Sequence, residues 1–221
     1  MAGVVFHVLN RGNCRMDLFT KPGDFQAFVK LLEEGRRRLA MPILGYCLMH
    51  NHWHLVLQPS RVEDLGRFMQ WVCSTHVRRW REHRGSVGQG HLYQGRFKSF
   101  PVQDDHHLLT LLRYVEANPL RAGMIKRAEQ WPWSSLGNGQ AQDGTAVQLS
   151  DWPVDRPHNW VQSVNRPLDA PQLDDLRRCV QRGRPFGADR WVRRTVKTMH
   201  LESTMRDPWR PRKTPQPKST K

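Results

Sequence analysis

The spacing of apolar residues divides the first 120 residues into strands and helices. Short apolar runs, rich in β-branched and aromatic side chains, predict four strands, over residues 4–9, 42–49, 50–58 and 96–102. Apolar residues at every third or fourth position predict three helices, over residues 25–39, 62–83 and 105–118. The pattern Ser60-x-x-Glu63 is a capping box for the second helix. Asn118-Pro119 ends the third, because a residue before proline avoids the α region.

The order of these elements is β-α-β-β-α-β-α. This order predicts an α+β, ferredoxin-like split βαβ fold, in which an antiparallel sheet carries helices on one face and one helix is added at the end. The fold by itself indicates no function, because the same architecture supports many activities.

The last third of the chain has a different composition. Residues 136–157 are rich in Gly, Gln, Asp and Pro and predict a linker or long loop, and a helix is expected over 170–181. We therefore divide the chain into a first domain (1–136), a linker with a mostly helical extension (137–206) and a flexible basic tail (207–221). For the extension, a helix-turn-helix over 189–206 and packing on the core both stay open.

Charge narrows the class of partner. The 221 residues include 35 Lys and Arg against 20 Asp and Glu, a net charge of +15. The stretch 206–221 alone holds six basic residues and one acid. Such an excess favours a polyanionic partner, and nucleic acid is the leading candidate.

Other features exclude several protein classes. No apolar run approaches the ~18 residues of a membrane span, and the first residues lack the apolar stretch of a signal peptide. The four cysteines are far apart, which argues against a zinc ribbon or a disulfide scaffold. We expect a reduced, cytoplasmic, nucleoid-associated protein without membrane contact.

The densest cluster of reactive side chains is His50-Asn51-His52-Trp53-His54. Residues two apart on a strand point to the same face, about 6.8 Å apart along the chain, so His52 and His54 are candidate ligands of one metal ion. Leu48 is expected on the histidine face, and the opposite face is expected to hold Met49, Trp53, Leu55 and Leu57. The alternative is that these are surface histidines of a half-buried strand.

The chain has three tyrosines, Tyr46, Tyr93 and Tyr114. Tyr114 precedes Asn118 by four residues on the third helix, so both side chains lie on one helical face. An amide oxygen suits Mg²⁺ or Mn²⁺, and a phenol is a possible covalent nucleophile. The alternative is that Tyr114 is a core aromatic residue and Asn118 only ends the helix.

Four segments together resemble a known family, the IS200-like single-tyrosine transposases. Residues 48–57 (LMHNHWHLVL) are similar to its His-hydrophobic-His segment, and 113–123 (RYVEANPLRAG) to the segment that carries its nucleophile. Residues 6–13 (FHVLNRGN) and 131–135 (WPWSS) resemble blocks of one branch, the REP-associated tyrosine transposases. The similarity runs in order from about residue 6 to 135, so the resemblance implies that 1–136 is a single-tyrosine transposase catalytic domain. Residues 184–206 resemble an extension of that branch, for which clamping of a DNA hairpin is a further alternative.

The resemblance implies roles for particular residues. His52 and His54 match the two metal-ligand histidines, Tyr114 the nucleophile and Asn118 the polar third ligand. The implied ion is Mg²⁺ or Mn²⁺. The position of His50 is usually proline in the family, so His50 is either a tolerated substitution or an added ligand.

Basic and aromatic residues supply candidate DNA contacts. Arg96 and Lys98 straddle Phe97, an arrangement that suits unpaired bases and their phosphates, although Phe97 equally fits the core. The complete set that we predict to bind DNA is Arg11, Arg96, Phe97, Lys98, Arg113 and Arg121. His106 and His107, at the start of the third helix, are either phosphate contacts or ordinary surface residues.

The predicted function is a metal-dependent transposase that cleaves and rejoins single-stranded DNA at hairpin-forming repeats. The reaction would pass through a covalent 5′-phosphotyrosine on Tyr114. The alternatives are a non-catalytic hairpin-binding regulator and a water-using metallonuclease built on His50, His52 and His54. The resemblance favours a monomer over a homodimer.

Overall fold

A computed structural model describes residues 3–138 and 146–206. Its four strands form one antiparallel sheet in the order β2-β3-β1-β4. The strands are β1 (Val5–Arg11), β2 (Ile43–Met49), β3 (His52–Leu57) and β4 (Lys98–Val102). The predicted α+β class with an antiparallel sheet is confirmed, and β3, which carries the histidines, lies inside the sheet.

Eight α-helices accompany the sheet within the described part of the chain. They are α1 (Pro22–Leu39), α2 (Val62–His83), α3 (His106–Glu116), α4 (Asn118–Arg121), α5 (Trp160–Asn165), α6 (Ala170–Arg182), α7 (Asp189–Thr198) and α8 (Glu202–Met205). Helix α1 connects β1 to β2, α2 connects β3 to β4, and the two helices pack against each other. Helix α3 contacts β2 and β3.

The sheet has two differently covered faces, because side chains alternate along each strand. On one face, Phe6, Val8, Trp53, Leu55 and Leu57 join a core with α1 and α2. The opposite face holds a second core, in which Val5, Val56, Phe100 and Val102 pack with α3 and the later helices. The histidines of β3 belong to this second face, which we call the histidine face.

A glycine lets α3 approach the histidine face closely. A β-bulge lies between Ile43 and Gly45, and a Cβ on Gly45 would lie only 2.6 Å from Cδ2 of Leu112. Leu112 is fully buried there. The absence of a side chain on β2 therefore sets the distance between the sheet and the helix that carries Tyr114.

Several local predictions were wrong in detail. Leu48 packs on the α1 and α2 side and Met49 on the histidine face, the reverse of our expectation. A turn at His50 and Asn51 separates β2 from β3, so the alternation does not continue through it. The predicted capping box at Ser60 does not form, because Arg61 is the N-cap residue of α2.

The third helix also ends differently. Helix α3 stops at Glu116, and a short α4 begins at Asn118, with Pro119 at a position where a missing N–H is tolerated. The backbone therefore bends after Tyr114 without leaving helical geometry altogether.

The C-terminal extension packs on the core. Trp160 of α5 and Leu176 of α6 are buried in the second core, and Phe186 forms a parallel bridge with Val102 at the edge of the sheet. Helix α8, in the stretch considered for a helix-turn-helix, is a single turn of four residues. The predicted basic tail over 207–221, and part of the predicted linker, lie outside the described residues.

Across residues 3–138 and 146–206, no helix has both the length and the apolar character that a membrane span requires.

Candidate active site

The histidines of β3 lie in two rows of the histidine face. His52 is directly opposite Arg11 of β1 on one side and Met49 of β2 on the other. In the next row, His54 is opposite Leu9, and Leu9 pairs in turn with Lys98 of β4. Cross-strand partners share a face of the sheet, so Arg11 and Lys98 bring positive charge to the side on which the two histidines stand.

Each histidine is held through the same ring nitrogen. Nδ1 of His54 lies 2.9 Å from Nε2 of His7, and Nδ1 of His52 lies 2.7 Å from the side-chain oxygen of Asn51. The ring centroids of His52 and His54 are 5.1 Å apart, and the two ring planes are nearly perpendicular. Neither Nε2 atom makes a hydrogen bond to a described residue, so each histidine keeps this nitrogen for another partner.

Burial keeps the imidazoles neutral. The pKa of His52 is lowered from 6.5 to about 4, first by burial and then by the charges of Arg11 and Arg121. The pKa of His54 is lowered well below 6.5, again mainly by burial and then by the neighbouring His7 and His52. Neutral imidazole is the form that binds a metal ion.

Tyr114 is the tyrosine that α3 places against these histidines. Its ring is perpendicular to the ring of His54 at a centroid distance of 6.0 Å. The guanidinium of Arg121 stacks on the Tyr114 ring at 4.1 Å and donates a hydrogen bond of 2.6 Å to the Tyr114 carbonyl oxygen. No described residue forms a well-aligned hydrogen bond with the Tyr114 hydroxyl, and the neighbouring Arg121 guanidinium is a cation that interacts with the Tyr114 side chain.

Two polar residues anchor the helix on either side of Tyr114. The buried carboxylate of Glu116 accepts hydrogen bonds from Ser135 Oγ (2.6 Å) and Trp160 Nε1 (2.7 Å). Burial raises the pKa of Glu116. Arg113 donates to the carbonyl oxygen of Ser163 at 3.0 Å and to that of Arg166 at 3.2 Å. The extension therefore holds α3 in place.

These anchors give Arg113 a structural contact that the sequence did not predict. We predicted that Arg113 binds DNA, but its guanidinium joins α3 to the end of α5. Neither Arg113 nor Glu116 was predicted to anchor the helix. A charged residue inside an otherwise apolar helix is the sequence signal that marks both.

The other two tyrosines are bound within the structure. The Tyr93 hydroxyl accepts a hydrogen bond from Trp53 Nε1 at 3.0 Å and lies 2.6 Å from His76 Nδ1. The Tyr46 hydroxyl donates to Asn138 at 2.7 Å. Both rings pack in the core with α1 and α2, on the opposite side of the sheet from the histidines.

The remaining predicted site residues separate into two groups. Arg11 and Lys98 lie on the histidine face, and Arg96 is exposed just before β4. Phe97 packs against the core with α1 and α2, so its position favours the structural role that we kept open. Asn118 begins α4 one helical turn after Tyr114 and is partly buried.

His50 does not join the histidine cluster. It lies in the β2–β3 turn, its Nδ1 is 2.9 Å from the Phe19 carbonyl oxygen, and its ring contacts Phe25 and Trp131 edge-on. This position favours a tolerated substitution over an added ligand, because the His50 ring packs against Phe25 and Trp131 while the residue stays exposed in the turn.

The donor atoms of the cluster fit a divalent metal ion. His52 and His54 each present a neutral Nε2 while an outer partner holds Nδ1, which is the usual arrangement of metal-binding histidines.

A second histidine-rich group, Asp105, His106 and His107, has ligand atoms within 4.8 Å of one another. There, Asp105 accepts hydrogen bonds from both the backbone N–H and Nδ1 of His107, so it caps α3.

Comparison with known proteins gives the family. A family model described as IS200-like transposase matches residues 1–118, which is more than half of the 221 residues. This chain belongs to the IS200-like transposase family. The match confirms the predicted family and includes His52, His54, Tyr114 and Asn118, whereas the extension lies beyond it.

A curated relative points to one branch of the family. A Haemophilus influenzae protein described as a REP-associated tyrosine transposase is 25% identical to this chain over 101 residues. The alignment covers 42% of this chain and 57% of the relative, so the chain spans little more than half of the relative's length.

Solved structures are similar in fold. The structure described as a REP-associated tyrosine transposase bound to a REP hairpin matches with a TM-score of 0.51 and 16% identity, over 76% of this chain and 94% of the other. A Deinococcus radiodurans R1 protein described as a transposase matches with a TM-score of 0.41 and 14% identity, over 52% and 91%. The first of these supports the fold described above.

Proposed function

We propose that this chain is a metal-dependent transposase that cleaves and rejoins single-stranded DNA at hairpin-forming repeats. The reaction passes through a covalent 5′-phosphotyrosine on Tyr114. The observation that carries the proposal is the position of Tyr114 on the histidine face, edge-on to His54 at 6.0 Å and beside the Arg121 guanidinium.

The similarity to REP-associated transposases supports the choice of substrate. One similar structure is described as bound to a REP hairpin, and its fold extends over 76% of this chain. The net charge of +15 suits a phosphate-rich ligand. Hairpin DNA is therefore the partner that we propose for this chain.

His52 and His54 would hold the divalent ion through their Nε2 atoms, with Asn118 as the proposed third ligand. When bound, Mg²⁺ or Mn²⁺ supplies Lewis-acid polarisation of the scissile phosphate and offsets the charge of the transition state. The neutral state of both histidines leaves their lone pairs available for this role.

The covalent step needs no water. The Tyr114 oxygen attacks phosphorus in line and loses its proton, the new bond joins tyrosine to the 5′-phosphate, and the 3′-oxygen leaves and takes up a proton. One phosphodiester replaces another, so the reverse reaction with a 3′-hydroxyl rejoins the strand. The chemistry therefore suits strand transfer better than degradation.

The surrounding cations orient the DNA. Arg121 lies on the ring of Tyr114, and Arg11 and Lys98 share the face of the sheet that carries the histidines. We infer that all three contact phosphates next to the scissile bond. Exposed Arg96 extends this set at the start of β4.

The test uses an end-labelled hairpin oligonucleotide with a single-stranded flank, incubated with Mg²⁺ or Mn²⁺ and separated on a denaturing gel. Wild type is expected to give a denaturant-resistant protein–DNA band. Tyr114→Phe and the double variant His52→Ala/His54→Ala are expected to give none.

Matched controls separate the alternatives. Tyr46→Phe and His50→Ala alter the same residue types away from the site and are expected to keep the band. Cleavage by Tyr114→Phe without an adduct would support the water-using metallonuclease instead. Hairpin binding by wild type without any cleavage would support the regulatory binding protein.

A further inference from the structure

A third histidine lies behind the proposed metal ligands. His7 is at the centre of β1, on the histidine face, and its side chain is completely enclosed. The chemistry proposed above gives it no role. A polar residue at the centre of a sheet, where its neighbours are apolar, calls for a specific interaction.

His7 is fixed by contacts on both sides. Its Nε2 lies 2.9 Å from Nδ1 of His54, and the two rings are nearly parallel with centroids 5.1 Å apart. Phe100 of β4 packs at 4.8 Å from the His7 ring. These contacts leave Nε2 of His7 directed at His54.

The other nitrogen of His7 is the unusual feature. Among the described residues, Nδ1 of His7 is the one buried side-chain nitrogen or oxygen without a hydrogen-bond partner. Such atoms are rare in folded proteins, because the hydrogen bond to water that is lost on folding is not replaced by one within the protein. The contact through Nε2 is therefore the interaction that accounts for a histidine here.

Metal binding determines the direction of that hydrogen bond. A neutral histidine that binds a metal through Nε2 carries its proton on Nδ1. Nδ1 of His54 must then donate, and Nε2 of His7 must accept. The proton of His7 is consequently on its own Nδ1, which is the atom without a partner.

We propose that His7 is a positioning residue: it accepts the hydrogen bond from Nδ1–H of His54 and so directs Nε2 of His54 toward the bound ion. The proposal rests on the metal-binding role proposed for His54 and is independent of DNA cleavage. His52 has a corresponding partner, Asn51, at the turn. Each proposed ligand histidine thus has its own hydrogen-bond acceptor.

Two variants of similar size separate the hydrogen bond from packing. In His7→Gln, the side-chain amide oxygen can occupy roughly the place of Nε2 and accept the same hydrogen bond. His7→Met has nearly the same length and volume but offers no comparable acceptor. Thermal unfolding of both variants, measured without metal, shows whether they remain folded.

The primary measurement is Mn²⁺ affinity without DNA, followed by electron paramagnetic resonance of the free ion. We expect His7→Met to bind Mn²⁺ about 10–100-fold more weakly than wild type, and His7→Gln within about 3-fold of it. A role in packing alone would weaken both variants alike or neither.

The secondary measurement reads the proton positions directly. Long-range ¹⁵N–¹H spectra of the imidazoles, recorded on protein loaded with diamagnetic Zn²⁺, are expected to show His7 and His54 both protonated on Nδ1. This spectrum also tests the direction of the hydrogen bond if a variant fails to fold.

Three results would overturn the inference. They are equal Mn²⁺ affinity of wild type and a folded His7→Met, equal loss in the glutamine and methionine variants, and a His7 protonated on Nε2 in the Zn²⁺-loaded protein. If wild type binds neither Mn²⁺ nor Zn²⁺, the metal-binding part of the proposed function fails as well. If His7→Met binds Mn²⁺ as tightly as wild type does, only the positioning role of His7 is rejected and the proposed function is unaffected.

Discussion

The two faces of the sheet each hold a histidine beside a tyrosine. On the face covered by α1 and α2, the rings of His76 and Tyr93 are 5.8 Å apart. On the histidine face, the rings of His54 and Tyr114 are 6.0 Å apart. Residue types and separations are almost the same, so neither of them distinguishes a structural pair from a reactive one.

Hydrogen bonding distinguishes the two pairs. The Tyr93 hydroxyl contacts both Trp53 Nε1 and His76 Nδ1, so all three polar groups are satisfied inside the core. The Tyr114 hydroxyl makes no well-aligned hydrogen bond to a described residue and faces only the cation of Arg121 in its pair with His54, whose Nε2 has no partner among the described residues. A pair that is already satisfied stabilises the fold, whereas a pair with free donor and acceptor atoms is available to a ligand.

The largest expected effect comes from removing the free hydroxyl. Tyr114→Phe should abolish the covalent DNA adduct, because the other two tyrosines, Tyr46 and Tyr93, lie on the opposite side of the sheet. Its free energy of unfolding should change by less than about 0.5 kcal/mol, because the hydroxyl makes no well-aligned hydrogen bond in the fold. An adduct assay measures the loss of the covalent product, and urea unfolding measures the free energy of unfolding. A normal yield of adduct in Tyr114→Phe would show that Tyr114 is not the nucleophile.

The same substitution on the other face should have the opposite consequences. Tyr93→Phe should keep adduct formation, measured at a temperature where the variant is folded. It should lower the free energy of unfolding by about 1–3 kcal/mol, because Trp53 Nε1 and His76 Nδ1 lose their buried partner. Urea unfolding measures this loss. An unchanged stability would show that water replaces the hydroxyl.

The pH dependence of stability should report His76. Burial lowers the pKa of His76 from 6.5 to about 3, with a smaller effect from Arg84. The folded state therefore resists protonation, and the stability that neutral His76 provides is present above pH 6.5 and lost as the pH falls toward 3. Each such histidine contributes a slope of about 1.4 kcal/mol per pH unit in this window.

Replacing His76 should therefore make stability less sensitive to acid. His76→Asn should reduce the slope of unfolding free energy between pH 6 and pH 5 by about one proton, whatever its stability at pH 7. The exposed Val87 provides the control, and Val87→Asn should leave the slope unchanged because neither side chain titrates. Urea unfolding at both pH values measures the slopes. Equal slopes in wild type and His76→Asn would contradict a neutral His76 in the fold.

The smallest expected effect concerns the rim of the histidine face. Lys98→Gln should weaken binding of single-stranded DNA a few-fold and reduce the slope of log K against log salt by about 0.7, because one phosphate contact is lost. Arg178→Gln is the matched control, since Arg178 is paired with Asp175 at 3.6 Å. Fluorescence anisotropy across a salt series compares them. Equal slopes would place the DNA away from β4.

Local patterns predicted much of the fold. Alternating and helical spacing located the four strands and the main helices, and α2 was placed at the observed Val62–His83. The spacing of His52 and His54 put both on one face of β3, as the structure shows. The faces of Leu48 and Met49 were predicted the wrong way round, because the turn at His50 and Asn51 interrupts the alternation of side chains between β2 and β3.

The candidate site depended on contacts between distant segments. His7 meets His54 across 47 positions of the sequence, and no local pattern singles it out. Arg113 and Phe97 were predicted to bind DNA, but the docking of α5 onto α3 and the orientation of β4 give them structural contacts. The docked extension and the bulge in β2 likewise set the position of α3.

The sequence by itself determined the elements, the pairing of His52 with His54 on one face and the family, because periodicity and motif spacing are properties of neighbouring residues. The tertiary structure alone decided that His7 contacts His54 and which ring nitrogen of His52 and of His54 has no partner among the described residues. Those outcomes depend on strand register and helix docking, which result from burying apolar surface contributed by segments far apart in the chain.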